Sequence, residues 1–324
     1  MMTALTRRNV LALLGAAVPG AAFGAPFPEK PVRLIVALAP GGPADTAARV
    51  FAPALAEALG QNVLVDNRPG GSAVVGTEAA IRAAPDGYTL LFASSSTLAI
   101  NPAVLKNLRF DALKDLKLIG LICYTPHVLV VRASLSVQTL ADLVSLSKAQ
   151  PDTLRYGSSG IGGAIHLAGE LVKRETGADL RHIPYRGGGP AMLGLLAGDI
   201  EVFISDLSTT AEQIRAGRIR ALAMAWTARS PRLPDVPTFA ELGFPAVTSA
   251  SWFGLAAPAA TPAAAIERLD KAMKDALGSP QYQAGMTKIG NETFKLSAEQ
   301  TAAFIKAEAD KWSAVAKSAN IQLD

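Results

Sequence analysis

At 324 residues, with 31 Lys and Arg set against 27 Asp and Glu, the chain is long enough for two domains of ordinary size and too evenly charged for a nucleic-acid binder. Half of its residues are hydrophobic, which excludes a disordered chain because such a composition buries a sizeable core. The basic residues are scattered and never interleave with aromatic side chains as in a single-strand binder, so nucleic acid is not an expected partner.

The first segment, "MMTALTRRNVLALLGAAVPGAAFGA", places Arg7 and Arg8 before an apolar run from Val10 to Val18 that ends at Pro19-Gly20 and small residues. This is the pattern of a signal peptide over residues 1–25, cut after Gly24, and the apolar run is too short to span a membrane. Export to the periplasm is therefore expected, by the Sec route or, given "TRRNVL", by the twin-arginine route. Cys123 is the only cysteine. No intramolecular disulfide can form, no cysteine follows the leader to take a lipid, and a small buried hydrophobe is the expected role.

From Phe27 onward, short β-branched runs alternate with helical patterns: "VRLIVA", "NVLVDNR", "YTLLFAS", then "LRYGSS", "IEVFISD" and "IRALAMAW". Such alternation predicts an α/β fold of mostly parallel sheets covered by helices. Ile266, Leu269, Met273 and Leu277 recur at helical spacing, and Ser297 with Gln300 forms a capping box ahead of a helix carrying Phe304, Ile305, Trp312 and Val315. Two long apolar runs, "KLIGLICYTPHVLVVRAS" and "SASWFGLAAPAATP", break the rhythm and read as strands crossing between two lobes, with a proline-rich extended segment between them. The division predicted is lobe one over 26–122 plus 248–324, and lobe two over 123–247.

Catalytic signatures are missing from the sequence. His127, His166 and His182 have no zinc-ligand spacing, so no metal is expected. "GSSGIGG" lacks the outer glycines of a nucleophile elbow about either Ser158 or Ser159, and the third glycine of a dinucleotide fingerprint is replaced by Ile165. No cofactor is expected. What remains is a set of glycine- and serine-rich loops, each at the carboxyl end of a predicted strand and at the start of a helix: residues 37–45, 67–76, 93–97, 156–166, 184–191 and 205–210. Close main-chain N–H groups, hydroxyl donors and helix N-termini suit a small anion. Each helix terminus contributes about 0.3–1 kcal/mol, up to about 2 when partly buried, against about 8 kcal/mol for micromolar binding, so several loops must converge on one ligand. A cleft of this kind without a nucleophile, metal or base pair binds and does not catalyse.

In order along the chain, "KPVRLIVALAPGGPADTAAR", "LGQNVLVDNRPGGSAVVGTEAAIRAAPDGYTLL", "LRYGSSGIGGAIHLAGEL", "HIPYRGGGPAMLGLLAGDIEV", "RSPRLPDVPTFAELGFP" and "WFGLAAPAATP" resemble the signature blocks of the Bug receptors, the extracytoplasmic solute-binding subunits of tripartite tricarboxylate transporters. The resemblance implies a periplasmic Venus flytrap of type II-like architecture, acting as a monomer, that captures a small organic acid (a di- or tricarboxylate, an acidic amino acid or an aromatic carboxylate) and delivers it to membrane permease subunits. Carried over by position, it places Leu38, Ala39, Gly41, Gly42 and Asp45 at the cleft, with Ser94 and Ser95 from the same lobe. From lobe two it places Ser158, Ser159 and Gly160 on the carboxylate, with Tyr185, Gly187 and Asp206 at the distal end. The chain departs from the family pattern at Leu38, where an aromatic is common, at Ser72-Ala73, where Gly-Gly is frequent, and at Ser205-Asp206, where Asp-Asn is often seen.

Several of these residues also have a plain structural role. Asp45 suits a helix start, His166 a packed or capping position, Tyr185 a core position and Trp252 the hinge. Arg186 can attract an anion or simply be solvated. Two other classes of protein fit the same letters: an exported enzyme acting on a carboxylate through Ser159, His166 or Asp206, and a periplasmic sensor subunit.

Overall fold

Strand and helix alternate along the chain in the computed structural model, which describes residues 27–324; the leader read over residues 1–25 lies outside them. The first part runs Val32–Val36 (β1), Pro43–Leu59 (α1), Val63–Asn67 (β2), Val74–Ile81 (α2) and Thr89–Ser94 (β3), followed by a π-helical turn at Ser96–Ile100 and the short helices Asn101–Val104 (α3) and Ala112–Asp115 (α4). Leu116–Arg132 (β4) is a single long strand. Beyond it come Leu140–Ala149 (α5), Arg155–Ser158 (β5), Ala164–Thr176 (α6), Arg181–Pro184 (β6), Gly188–Ala197 (α7), Val202–Asp206 (β7), Leu207–Arg215 (α8) and Ile219–Met224 (β8). The chain returns through Ala250–Pro258 (β9) to Ala263–Gly278 (α9), Pro280–Ile289 (α10), Glu292–Thr293 (β10) and Ala298–Ser318 (α11).

Helix boundaries follow from local chemistry. Pro43, whose φ is fixed and whose missing N–H costs nothing there, opens α1, and Gly60 in the left-handed region closes it. Thr139 with Asp142 and Ser297 with Gln300 form reciprocal capping boxes at α5 and α11. In α9, Leu269 and Met273 are buried while Ile266 and Leu277 pack at the margin of the same cluster. No described helix is long and apolar enough to cross a membrane.

The strands lie in the order β2-β1-β3-β9-β4-β7-β5-β6, with β8 and β10 also paired to β4. Pairing is parallel at both outer ends of this path, in β2-β1-β3 and in β6-β5-β7. It is antiparallel around β4 and β9. The parallel character expected of both lobes is thus confined to the strands linked by covering helices, because the two long strands traverse the molecule in opposite senses.

β4 serves both halves. Its first part, Leu116 to Pro126, pairs with β9, and its last part, His127 to Arg132, pairs with β7 and β8. At the crossing the main chains knit together: His127 N–H donates to Ser249 O at 3.1 Å, Ala225 N–H to His127 O at 2.8 Å and Ser249 N–H to Ala225 O at 2.6 Å. Phe51, Leu55, Leu269 and Tyr282 fill one face of the first half-sheet, and Trp252, Ile305 and Trp312 the other. Leu167 and Leu171 of α6 join the second of these clusters, so apolar packing continues from the first half-sheet to the second beneath α11. Two further clusters sandwich β4, β5 and β7.

Candidate ligand site at the facing strand ends

The registers bring the loop-bearing strand ends face to face. Ser94, the last residue of β3, pairs with Phe253 of β9, which pairs with Cys123 of β4. Asp206, the last residue of β7, pairs with His127 of β4. β3 and β7 run in opposite directions, so their carboxyl ends stop at levels of β4 that are four residues apart in sequence, roughly 13 Å along an extended chain. The loops after β1 and β3 therefore point toward those after β5, β6 and β7 from the other side of the crossing.

In the first loop, Gly41 has φ +78° and Gly42 donates its N–H to Ala39 O at 3.4 Å. Asp45 is 4% exposed; one carboxylate oxygen accepts from Gly41 N–H at 2.9 Å, and both accept from Arg49 Nε. Burial opposes ionisation of Asp45, yet Arg49, the Gly41 N–H and Asn67 together hold its carboxyl below the ordinary value. Asn67 extends this brace, accepting from Arg49 at 3.1 Å and donating to Leu38 O at 3.3 Å. Asp45 is thus spent on shaping the turn. Leu38 is half-buried and Ala39 exposed, and among the described residues neither N–H is paired with a main-chain carbonyl.

Ser94 and Ser95 at the end of β3 are buried, and Ser94 Oγ accepts from Thr97 N–H at 3.3 Å, which anchors the π-helical turn. In the neighbouring loop Ser72 and Ala73 hold φ of 54° and 79°, a region natural to glycine, with Ser72 O held by Asn101 Nδ2 at 2.8 Å.

On the other side of the crossing, Ser158 is fully buried. Its Oγ accepts from Gly160 N–H at 3.2 Å, donates to Gly160 O at 3.1 Å and lies 2.6 Å from His182 Nε2. His182 stacks on His166 with ring centroids 3.8 Å apart, and His166 Nδ1 accepts from Gly162 N–H at 3.0 Å. Burial, and after it the neighbouring His166, push the His182 imidazole down to about 3; burial lowers His166 as well. Burial thus favours the neutral form of both rings. Ser158 and His166 accordingly support the turn from behind, leaving half-buried Ser159 and Gly160 (φ +139°) as its front. Since His166 Nδ1 is engaged by the Gly162 amide, it is not placed as a base for Ser159.

Tyr185 donates its N–H to Ser158 O at 3.0 Å, while its ring packs against Gly157 and Gly194 with Ala191 nearby. The side chain packs beneath α7 and is half-buried. Gly187 (φ +120°) is the N-cap of α7. Arg186 is exposed. Asp206 is the N-cap of α8 but its side chain makes no capping bond; it is 8% exposed, with Oδ1 3.4 Å from Nε2 of fully buried His127. His127 in turn meets Ser249 Oγ at 2.8 Å and Ser251 Oγ at 3.2 Å.

Asn67, His127 and His182 escaped the sequence reading because each acts through residues distant in the chain. Cys123 is buried, its thiol pushed up to about 12 chiefly by burial. A cavity of about 840 Å³ lies elsewhere, on the flank of the crossing between Tyr124, Trp226, Thr248, Asn291, Phe304 and Lys311. It holds none of the glycine loops, and Tyr124 and Lys311 are already hydrogen-bonded to Glu292 and Thr248. The described residues hold no cluster of three potential metal ligands.

Two half-sheets whose loop-bearing ends meet across a strand crossing define a periplasmic solute-binding protein. The family model described as "Tripartite tricarboxylate transporter family receptor" matches residues 47–321, and the chain belongs to that family. It is 35% identical over 321 residues to protein BugT of Bordetella pertussis, covering 97% of this chain and 98% of the relative. Its fold is similar to a solved periplasmic transporter (TM-score 0.83, 38% identity, 92% of this chain and 100% of the other). It is also similar to Rpa4515 of R. palustris, solved with adipate (TM-score 0.83, 33% identity, 91% and 99%). The family is one of solute-binding receptors, not of enzymes.

Proposed function

We propose that this receptor captures a small organic carboxylate between a first lobe, residues 26–122 plus 248–324, and a second, residues 123–247, and delivers it to the membrane permease subunits of a tripartite tricarboxylate transporter. The observation that carries the reading is the facing of two sets of turns whose amides are unpaired. Leu38 and Ala39 on one side and Ser159 and Gly187 on the other have N–H groups without main-chain partners among the described residues. Such groups are costly to enclose unless a ligand satisfies them. Backbone donors and helix N-termini favour an anion, and adipate in Rpa4515 is an acid of the expected size. Closing the lobes over it expels water and strengthens each contact.

In this reading Leu38, Ala39, Gly42, Ser95, Ser159, Gly160 and Gly187 line the ligand, Gly41, Asp45, Ser94, Ser158 and Tyr185 shape the loops, and Asp206 stands at the distal wall. The leader over residues 1–25 exports the chain through Sec or the twin-arginine route, and the mature protein acts as a monomer. Thermal-shift titration with di-, tri-, aromatic and amino acids tests it. A true ligand raises the melting temperature by mass action; an unchanged melting temperature across the whole panel would refute the reading.

A further inference from the structure

Resting on that reading of the cleft, we propose that Asp206 makes the receptor select acids whose body carries a hydrogen-bond donor, a hydroxyl or an ammonium group, over unsubstituted dicarboxylates. The Asp206 side chain is 11% exposed, and Oδ1 is enclosed without a hydrogen-bond partner. Among the described residues no protein donor bonds to either carboxylate oxygen. The one cation-capable neighbour within 4 Å among the described residues is His127, at 3.4 Å. That ring is already shared between Ser249 and Ser251.

A carboxylate can only accept hydrogen bonds, and enclosing one without donors is strongly unfavourable. Among the described residues the other buried carboxylates are provided for: Asp45 has Arg49 and the Gly41 amide, Glu201 has Arg155, and Glu308 has two indoles. Asp206 stands apart at the end of β7, at the facing strand ends. Oδ1 has no accessible surface and faces the His127 ring, so it is Oδ2, the oxygen that keeps surface, that a donor on the ligand meets. An asparagine amide at this position would offer N–H₂ to a distal carboxylate, whereas the Asp206 carboxylate can only accept and so attracts O–H or N–H.

The test compares matched acids by isothermal titration of the purified protein: succinate against malate and aspartate, and glutarate against 2-hydroxyglutarate and glutamate. In at least one series the substituted acid binds ten-fold or more tightly than the unsubstituted one, and the hydroxyl and amino arms tell which donor fits. Asp206→Asn, nearly isosteric, is expected to bring that ratio to two-fold or less or to invert it, with the melting curve confirming that the variant folds. Equal affinities within every series of the unaltered protein overturn the inference and leave the carboxylate receptor standing, whether or not the variant folds. A preference that survives in Asp206→Asn overturns it too. Binding by none of these acids overturns the inference alone, the carboxylate reading being decided by the wider thermal-shift panel.

Discussion

The indole N–H of Trp252 in β9 donates to Glu308 of the C-terminal helix at 2.9 Å. Trp312 adds a second indole bond at 3.0 Å, and Lys311 pairs with the other oxygen while reaching Thr248 O at 2.8 Å. One buried carboxylate thereby ties α11 to the return strand and to the segment entering the crossing. Glu308→Ala would leave a buried ammonium without its counter-ion and two indoles without an acceptor, and a loss of about 3–5 kcal/mol is expected in urea unfolding. Glu308→Gln keeps an acceptor and should lose less. A loss below about 1 kcal/mol for the alanine variant would mean that water takes over these partners.

The stacked histidines give stability a pH dependence of definite sign. His182 is pushed down to about 3 from 6.5, and His166 is lowered as well, both chiefly by burial. Between about pH 6.5 and 3 the unfolded chain binds more protons at these sites than the folded one, so stability is full above that window and lost as pH falls through it. The melting temperature should drop between pH 7 and 4, and His182→Gln should flatten the drop. A variant with an unaltered pH profile would assign the acid sensitivity to other groups.

Ala73, buried and 1% exposed, holds φ 79° at the start of α2. The left-handed region costs an alanine roughly 1–2 kcal/mol, part of which glycine's greater freedom in the unfolded chain offsets. Ala73→Gly is therefore expected to stabilise by about 0.5–1 kcal/mol, read as a small rise in melting temperature. A fall would show that the Ala73 methyl contributes more packing than its backbone conformation costs.

Leu38 packs against both apolar clusters of the first half-sheet while its carbonyl is held by Asn67. Enlarging it at the mouth of the loop should change which acids bind more than it changes folding. For Leu38→Phe the affinity ranking across a carboxylate panel is expected to reorder with little change in melting temperature. An unchanged ranking would place Leu38 outside ligand discrimination.

Much of the fold was legible because period and punctuation carry it. The capping box at Ser297 and Gln300, the apolar stripe of α9 and the loop glycines at the ends of β1, β5 and β6 are local signals, and each appears in the structure at its place. β10 was illegible: two residues at the edge of β4 have no periodicity. The joining of α6 to the cluster under α11 was equally hidden, since Leu167 and Leu171 look like ordinary core positions of their own lobe. Within the candidate site, glycines and small residues located the loops, but spacing alone did not separate the groups that face the gap from those that hold the loop. Ser158 and Ser159 are adjacent letters; one is bound to His182, 24 positions away, and the other is half-buried at the surface. Only the pairing of β5 with β6, Ser158 opposite Pro184, brings His182 under that turn.

β4 belongs to both half-sheets without a break, so the separation of the facing loops is counted out in residues between Cys123 and His127. Removing two residues there would bring the jaws about 7 Å closer and keep every side chain on its own face. Removing one would turn Val128, Val130 and the rest of the strand over, exchanging the two clusters they feed. The spacing of the two loop sets along β4 is therefore a stepped quantity, altered only by paired changes in strand length if the faces of the strand are to be kept.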